Sequence, residues 1–101
     1  MCSSDLALNR MAEFDIDLAE QPIAAADHAG LKRVTDSVPV TVEADESASS
    51  VARVFELVRE RIVDAVSLKI PKLGGLINTV AAARIFCRIS WIGRASCRER
   101  V

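Results

Sequence analysis

"VPVTVEADESASSVARVFELVRERIVDAVSLKI" (residues 38–70) decides the fold. Its first part, 38–47, alternates. Val40, Val42 and Ala44 take one side, and Thr41, Glu43 and Asp45 take the other. A period of two is the mark of a strand with one buried face. From Ser50 to Ile62 the period changes. Val51, Val54, Phe55, Val58 and Ile62 recur at helical spacing, which predicts an amphipathic helix. At 65–70 the alternation returns, with Val66, Leu68 and Ile70 opposite Ala65, Ser67 and Lys69. The stretch therefore reads as one β-α-β unit.

The same order extends to both sides. "DIDLAEQP" (15–22) predicts a strand with Ile16 and Leu18 on one face, closed by Pro22. "DHAGLKRVTDS" (27–37) predicts a short helix. Asp27 is its candidate N-cap, and Leu31 and Val34 form its apolar side. "GGLINTVAAARIF" (74–86) predicts a third helix with Ile77, Val80, Ala81 and Ile85 on one face. Residues 7–14 read as the end of a preceding helix. The order β-α-β-α-β-α implies parallel strands with helices packed over them, an α/β fold. Three such units are part of a doubly wound sheet or part of a (β/α)8 barrel, which needs roughly 250 residues.

Composition bounds the rest. The chain has 101 residues, half of them hydrophobic, which suits one small globular domain. No apolar run reaches the roughly 18 residues of a membrane span, and no signal peptide opens the chain. The cysteines are Cys2, Cys87 and Cys97. An odd count without CxxC, beside the lone His28, fits neither a disulfide framework nor a zinc site, so a reducing cytoplasm is expected. His28 itself is expected to be exposed and structural. Arg84, Arg88, Arg94, Arg98 and Arg100 against Glu99 raise a nucleic-acid-binding tail as one reading. Residues 7–91 alone hold 10 Lys+Arg and 12 Asp+Glu, an acidic balance that argues against nucleic acid as a partner. A small α/β binding module is the other non-enzymatic reading.

Three ionisable residues stand at equivalent places. Glu20, Asp45 and Lys69 each end a predicted strand, with separations of 25 and 24 residues. Strand ends often carry solvated charges simply because a loop starts there. Alternatively, in a parallel barrel these positions converge on one rim, where catalytic residues gather. Two carboxylates on adjacent strands then suit a hard cation such as Mg2+, which takes oxygen ligands and keeps waters. A partly desolvated lysine beside them suits a base.

The wording of the three strand ends is more specific. "EQP" (20–22), "ADES" (44–47) and "SLKIPKLGG" (67–75), in this order and spacing, resemble the enolase superfamily. More narrowly, they are similar to the barrel domain of the mandelate racemase and muconate lactonizing enzyme family. The resemblance covers roughly residues 7–85 and implies a piece of a modified (β/α)7β barrel. It implies Glu20 and Asp45 as Mg2+ ligands and Lys69 as the catalytic acid/base. The implied chemistry is removal of the proton alpha to the carboxylate of a small-molecule substrate, with no membrane and no nucleic acid as partner. A lysine at position 69 points to the muconate-lactonizing subgroup: cycloisomerases, dipeptide epimerases and other racemases, synthases and dehydratases. The parent enzyme is expected to be a homo-oligomer. Its third metal ligand, opposing base, capping domain and last strands are expected outside this chain, so the fragment is expected to be inactive.

Neighbouring residues have weaker readings. Glu46 points away from Asp45 and is expected to support the site rather than bind the metal. Glu43 shares the face of Asp45 one layer deeper, as a substrate contact or a buried paired acid. Lys72 reads as a loop charge that helps define the motif. Gly74 and Gly75 offer backbone N–H groups to an anion or serve a tight turn. Ser47, Ser49 and Ser50 read as caps of the next helix.

"CSSDL" (2–6) and "IGRASCRERV" (92–101) stand outside the resemblance. Both can be written in codons that resemble the two ends of a short-read sequencing adapter. Residues 1–6 and 92–101 are therefore expected to be adapter-derived, with 7–91 a partial barrel domain. On this reading the chain is a chimeric open reading frame with no native function of its own.

Overall fold

In the computed structural model, which describes residues 3–93, three short parallel strands carry helices on one side. Helix α1 (Ser3–Met11) leads through a 3-10 turn (Ala12–Phe14) into β1 (Leu18–Glu20). Then come α2 (His28–Ser37), β2 (Thr41–Ala44), α3 (Val51–Arg59), β3 (Ala65–Val66), α4 (Ile70–Leu73) and α5 (Leu76–Gly93). The strand order is β1-β2-β3, and both pairs are parallel. The expected β-α alternation is what the chain adopts. Residues 94–101, which include Arg94, Cys97, Arg98 and Arg100 and most of the adapter-like segment 92–101, lie outside the described residues, as does Cys2.

Local rules place the helices. Asp27 caps α2, its Oδ1 accepting from the Gly30 N–H at 2.8 Å. Ser50 caps α3 by accepting from the Arg53 N–H at 3.1 Å. Leu31 and Val34 of α2, Val42 and Ala44 of β2, and Val54 and Leu57 of α3 are fully buried together. Each Leu or Val in that cluster contributes on the order of 1.5–3 kcal/mol. Thr35 ties α2 to the segment after α3, its hydroxyl donating to the Leu31 carbonyl at 2.9 Å and the Ile62 carbonyl at 2.7 Å.

Several boundaries and faces differ from the sequence reading. β1 spans three residues rather than eight. Its buried residue is Ala19, while Leu18 is 43% exposed. The sheet explains the reversal. Register pairs Leu18 with Thr41 and Ala19 with Val42, so Leu18 and Glu20 share the helix-free face with Thr41 and Glu43. The segment at 65–70 does not run to Ile70. Pro71, at the start of α4, ends extended pairing, and Ile70 is half exposed as the first residue of that helix. Phe55 is also half exposed, although it was placed on the apolar stripe of α3. Leu57 takes the core position instead, and the Arg59 guanidinium lies over the Phe55 ring at 5.5 Å.

Helix α5 begins two residues later than expected and runs to Gly93. It turns Ala82, Phe86 and Ile89 toward the core, leaving Ile77 at 85% exposure and Val80 at 42%. The helix is apolar on more than one side, and α3 and α4 are its main partners among the described elements, so contact with them selects the buried face. Cys87 on this helix is disulfide-bonded, against the expectation of unpaired cysteines. No described helix is long and apolar enough to cross a membrane.

Candidate active site

The carboxyl ends of the three strands open on the same edge of the sheet, because the strands are parallel. β2 is the middle strand, so the turn after it is flanked by the turns after β1 and β3. Asp45 follows β2 and is only 6% exposed. Lys69 reaches it from the turn after β3, and Lys72 from α4. The Lys69 Nζ donates to Asp45 Oδ2 at 2.8 Å, and the Lys72 Nζ donates to Oδ1 at 2.6 Å and to the Asp45 main-chain carbonyl. One buried carboxylate is thus held by two ammonium groups, one on each oxygen.

The electrostatics follow from that geometry. Bonds from Lys69 first, and then Lys72, hold the Asp45 carboxyl far below the usual carboxylate range, against a burial that opposes ionisation. Lys69 in turn is pushed up, chiefly by Asp45, with the charges of Glu20 and Glu46 adding to it. Lys69 keeps half its side chain in solvent, whereas Lys72 is more enclosed. The structure therefore brings Glu20, Asp45 and Lys69 together. It also brings in Lys72, which sequence reasoning left as a loop charge. A lysine three residues beyond Lys69 lies on the first turn of α4 and so folds back over the same carboxylate.

Other residues fall elsewhere. Glu43 is half buried on the helix-free face, beside Glu20 in register. Glu46 is exposed and lines an open polar depression with His28, Ser47, Ser49, Arg53 and Glu56. His28 is half buried rather than exposed, its Nδ1 3.3 Å from Glu56 Oε1. Of the three serines, Ser50 is the one that caps α3. Ser47 is buried, and its hydroxyl donates to the Ala25 carbonyl at 3.0 Å. Gly74 and Gly75 do not cradle an anion. Both have positive φ, and both N–H groups donate to the Ile70 carbonyl as α4 ends.

Gln21 is the residue that sequence reasoning missed. Its Oε1 accepts from the Asp45 N–H at 2.9 Å and the Ser47 N–H at 3.1 Å. The only sequence signal was its place inside "EQP", between a charged strand end and a proline.

The donors suit a hard divalent cation in kind. Mg2+ is commonly held by one or two carboxylates plus waters, and Glu20 and Asp45 supply two at neighbouring strand ends. Among the described residues, no group of three or more His, Cys, Asp or Glu converges as a complete cage. Both Asp45 oxygens are also engaged by lysines, so a cation there competes with Lys69 and Lys72.

The chain is similar to known proteins in sequence and in fold. Residues 6–88 match the family described as enolase C-terminal domain-like. A chloromuconate cycloisomerase of Cupriavidus necator is 41% identical over 83 residues, which is 82% of this chain and 22% of that protein. A hydrophobic dipeptide epimerase of Enterococcus faecalis is 40% identical over 70 residues, 69% of this chain and 20% of its own length. The crystal structure of muconate cycloisomerase from Pseudomonas fluorescens superposes with a TM-score of 0.82 at 36% identity, over 85% of this chain and 24% of that one. The chain thus spans between a fifth and a quarter of the relatives it matches. With the match running through all three strands and the turns that hold Glu20, Asp45 and Lys69, this chain belongs to the enolase C-terminal domain-like family.

Proposed function

We propose that this chain is the central metal-and-base segment of an enolase-superfamily isomerase or lyase that removes the proton alpha to a substrate carboxylate. The observation that carries the reading is the buried Asp45 carboxylate, bridged by Lys69 and Lys72 beside Glu20 at the ends of three parallel strands. Relatives named as a chloromuconate cycloisomerase and a hydrophobic dipeptide epimerase support it.

Glu20 and Asp45 are the residues that would hold Mg2+, and the ion when bound would stabilise negative charge developing on the substrate carboxylate. Lys69 is the proton-transfer residue. In the described arrangement the bond to Asp45 raises its pKa and favours the ammonium form. A cation held by Asp45 would compete with the Asp45–Lys69 bond, which would favour the neutral amine that a base requires. Lys72 is more enclosed and bonded to the main chain of Asp45 as well as its side chain, which suits holding the turn rather than moving a proton. Substrate choice between racemisation, cycloisomerisation and dehydration belongs to residues outside this segment.

The test uses the enzyme that contains this segment. Lys69→Ala is expected to abolish exchange of the alpha proton with solvent deuterium while divalent-cation binding persists. Exchange at the wild-type rate would remove Lys69 from the mechanism.

A further inference from the structure

Gln21 adopts an uncommon backbone. Its φ is +41°, in the left-handed region that a side chain beyond glycine or asparagine seldom visits. Such a conformation persists when its surroundings over-determine it. Here they do. A primary amide has two acceptor sites on oxygen and two donors on nitrogen. Gln21 uses all four. Its Oε1 accepts from the N–H groups of Asp45 and Ser47, and its Nε2 donates to the Ile23 carbonyl at 2.9 Å and to Ser47 Oγ at 2.9 Å. Its main-chain N–H donates to the Glu43 carbonyl at 2.8 Å, continuing the β1–β2 ladder by one residue.

The consequence is a cross-brace between two turns. One end is fixed one residue after Glu20 and the other on the N–H of Asp45 itself. A glutamate at 21 has no donors for Ile23 and Ser47. An asparagine is one methylene too short to span the gap. The Asp45 turn has other fasteners, including the Ala48 N–H to the Asp45 carbonyl at 3.0 Å and the Ser50 cap, so the brace is not what folds it.

We propose that Gln21 is a positioning residue, the brace that sets the Asp45 carboxylate against Glu20 and so fixes the spacing of the two acids. The proposal rests on the reading of those two acids as cation ligands. It assigns Gln21 no contact with substrate.

The test uses the 101-residue chain with Gln21→Asn and Gln21→Met. Asparagine tolerates positive φ better than glutamine, which offsets part of the cost of the lost bonds, so Gln21→Asn is expected to lower the melting midpoint modestly and keep one cooperative melt. The same variant should speed amide exchange at Asp45 and Ser47 by about tenfold or more while Val42 and Val54 keep their protection. Mn2+, an oxygen-preferring paramagnetic probe, should bind at least about tenfold more weakly to both variants, read from the spectrum of the free ion. A cooperative fold with a loosened cation site separates positioning from a structural role. The proposal is overturned if Asp45 and Ser47 stay protected as in the wild type, if Mn2+ affinity is unchanged, or if both variants lose their cooperative melt. A wild-type chain that takes no Mn2+ would show that Glu20 and Asp45 do not hold the ion without the rest of the enzyme, and exchange at Asp45 and Ser47 would then decide the brace alone.

Discussion

Asp45 shows how one buried charge organises its neighbours. Burial alone would raise the pKa of its carboxyl, yet two ammonium groups hold it ionised. The linkage sign follows. Its folded pKa is depressed, so its contribution to stability is present above about pH 4 and lost as pH falls through the folded value. Lys69 is shifted upward, so its share is present below its ordinary pKa and lost as pH rises through the raised one. Melting temperature is therefore expected to be level between those limits and to fall on both flanks. Asp45→Asn should lower the plateau and shrink both flanks, measured by thermal melts across pH. Flanks identical to the wild type would mean that Asp45 is not the titrating partner. Lys69 is half in solvent, so the alkaline flank is expected to be the smaller one.

Helix α3 decides which apolar residues count. Its sequence offers two overlapping stripes, one with Phe55 and one with Leu57, and helical spacing does not choose between them. Packing against α5 and the buried cluster chooses Leu57, which is fully buried, and leaves Phe55 under Arg59 at the surface. Leu57→Ala is accordingly expected to cost about 2–4 kcal/mol, and Phe55→Ala below about 1 kcal/mol, read from urea unfolding. Equal costs would show that the stripe faces the other way. The strand ends follow the same logic. The alternation of 38–47 was legible because Val40, Val42 and Ala44 all face the helices. The alternation of 15–22 was not, because the face was judged by the larger side chains, and the residue that packs is the small Ala19.

At the scale of the molecule, the outer side of α5 and the turn before β1 hold apolar groups in solvent. Ile77, Phe14 and Leu76 are each more than half exposed. Apolar surface of this kind promotes association. Ile77→Lys together with Phe14→Lys is expected to reduce concentration-dependent self-association on gel filtration, with little change in melting temperature, since neither residue belongs to the core. Undiminished association would place the sticky surface elsewhere. By itself, the sequence determined the β-α order, the cap at Asp27, the core pair Leu31 and Val34, and the three equivalent places after successive strands where Glu20, Asp45 and Lys69 stand. Those depend on periodicity and local hydrogen bonding, which are properties of neighbours in the chain. Only the tertiary structure decided that Lys72 shares the Asp45 carboxylate, that Gln21 braces its turn, and that Ala82 rather than Ile77 enters the core. Each of these is settled by a contact between segments far apart in sequence, where geometry across the sheet, and not spacing along the chain, sets which groups meet.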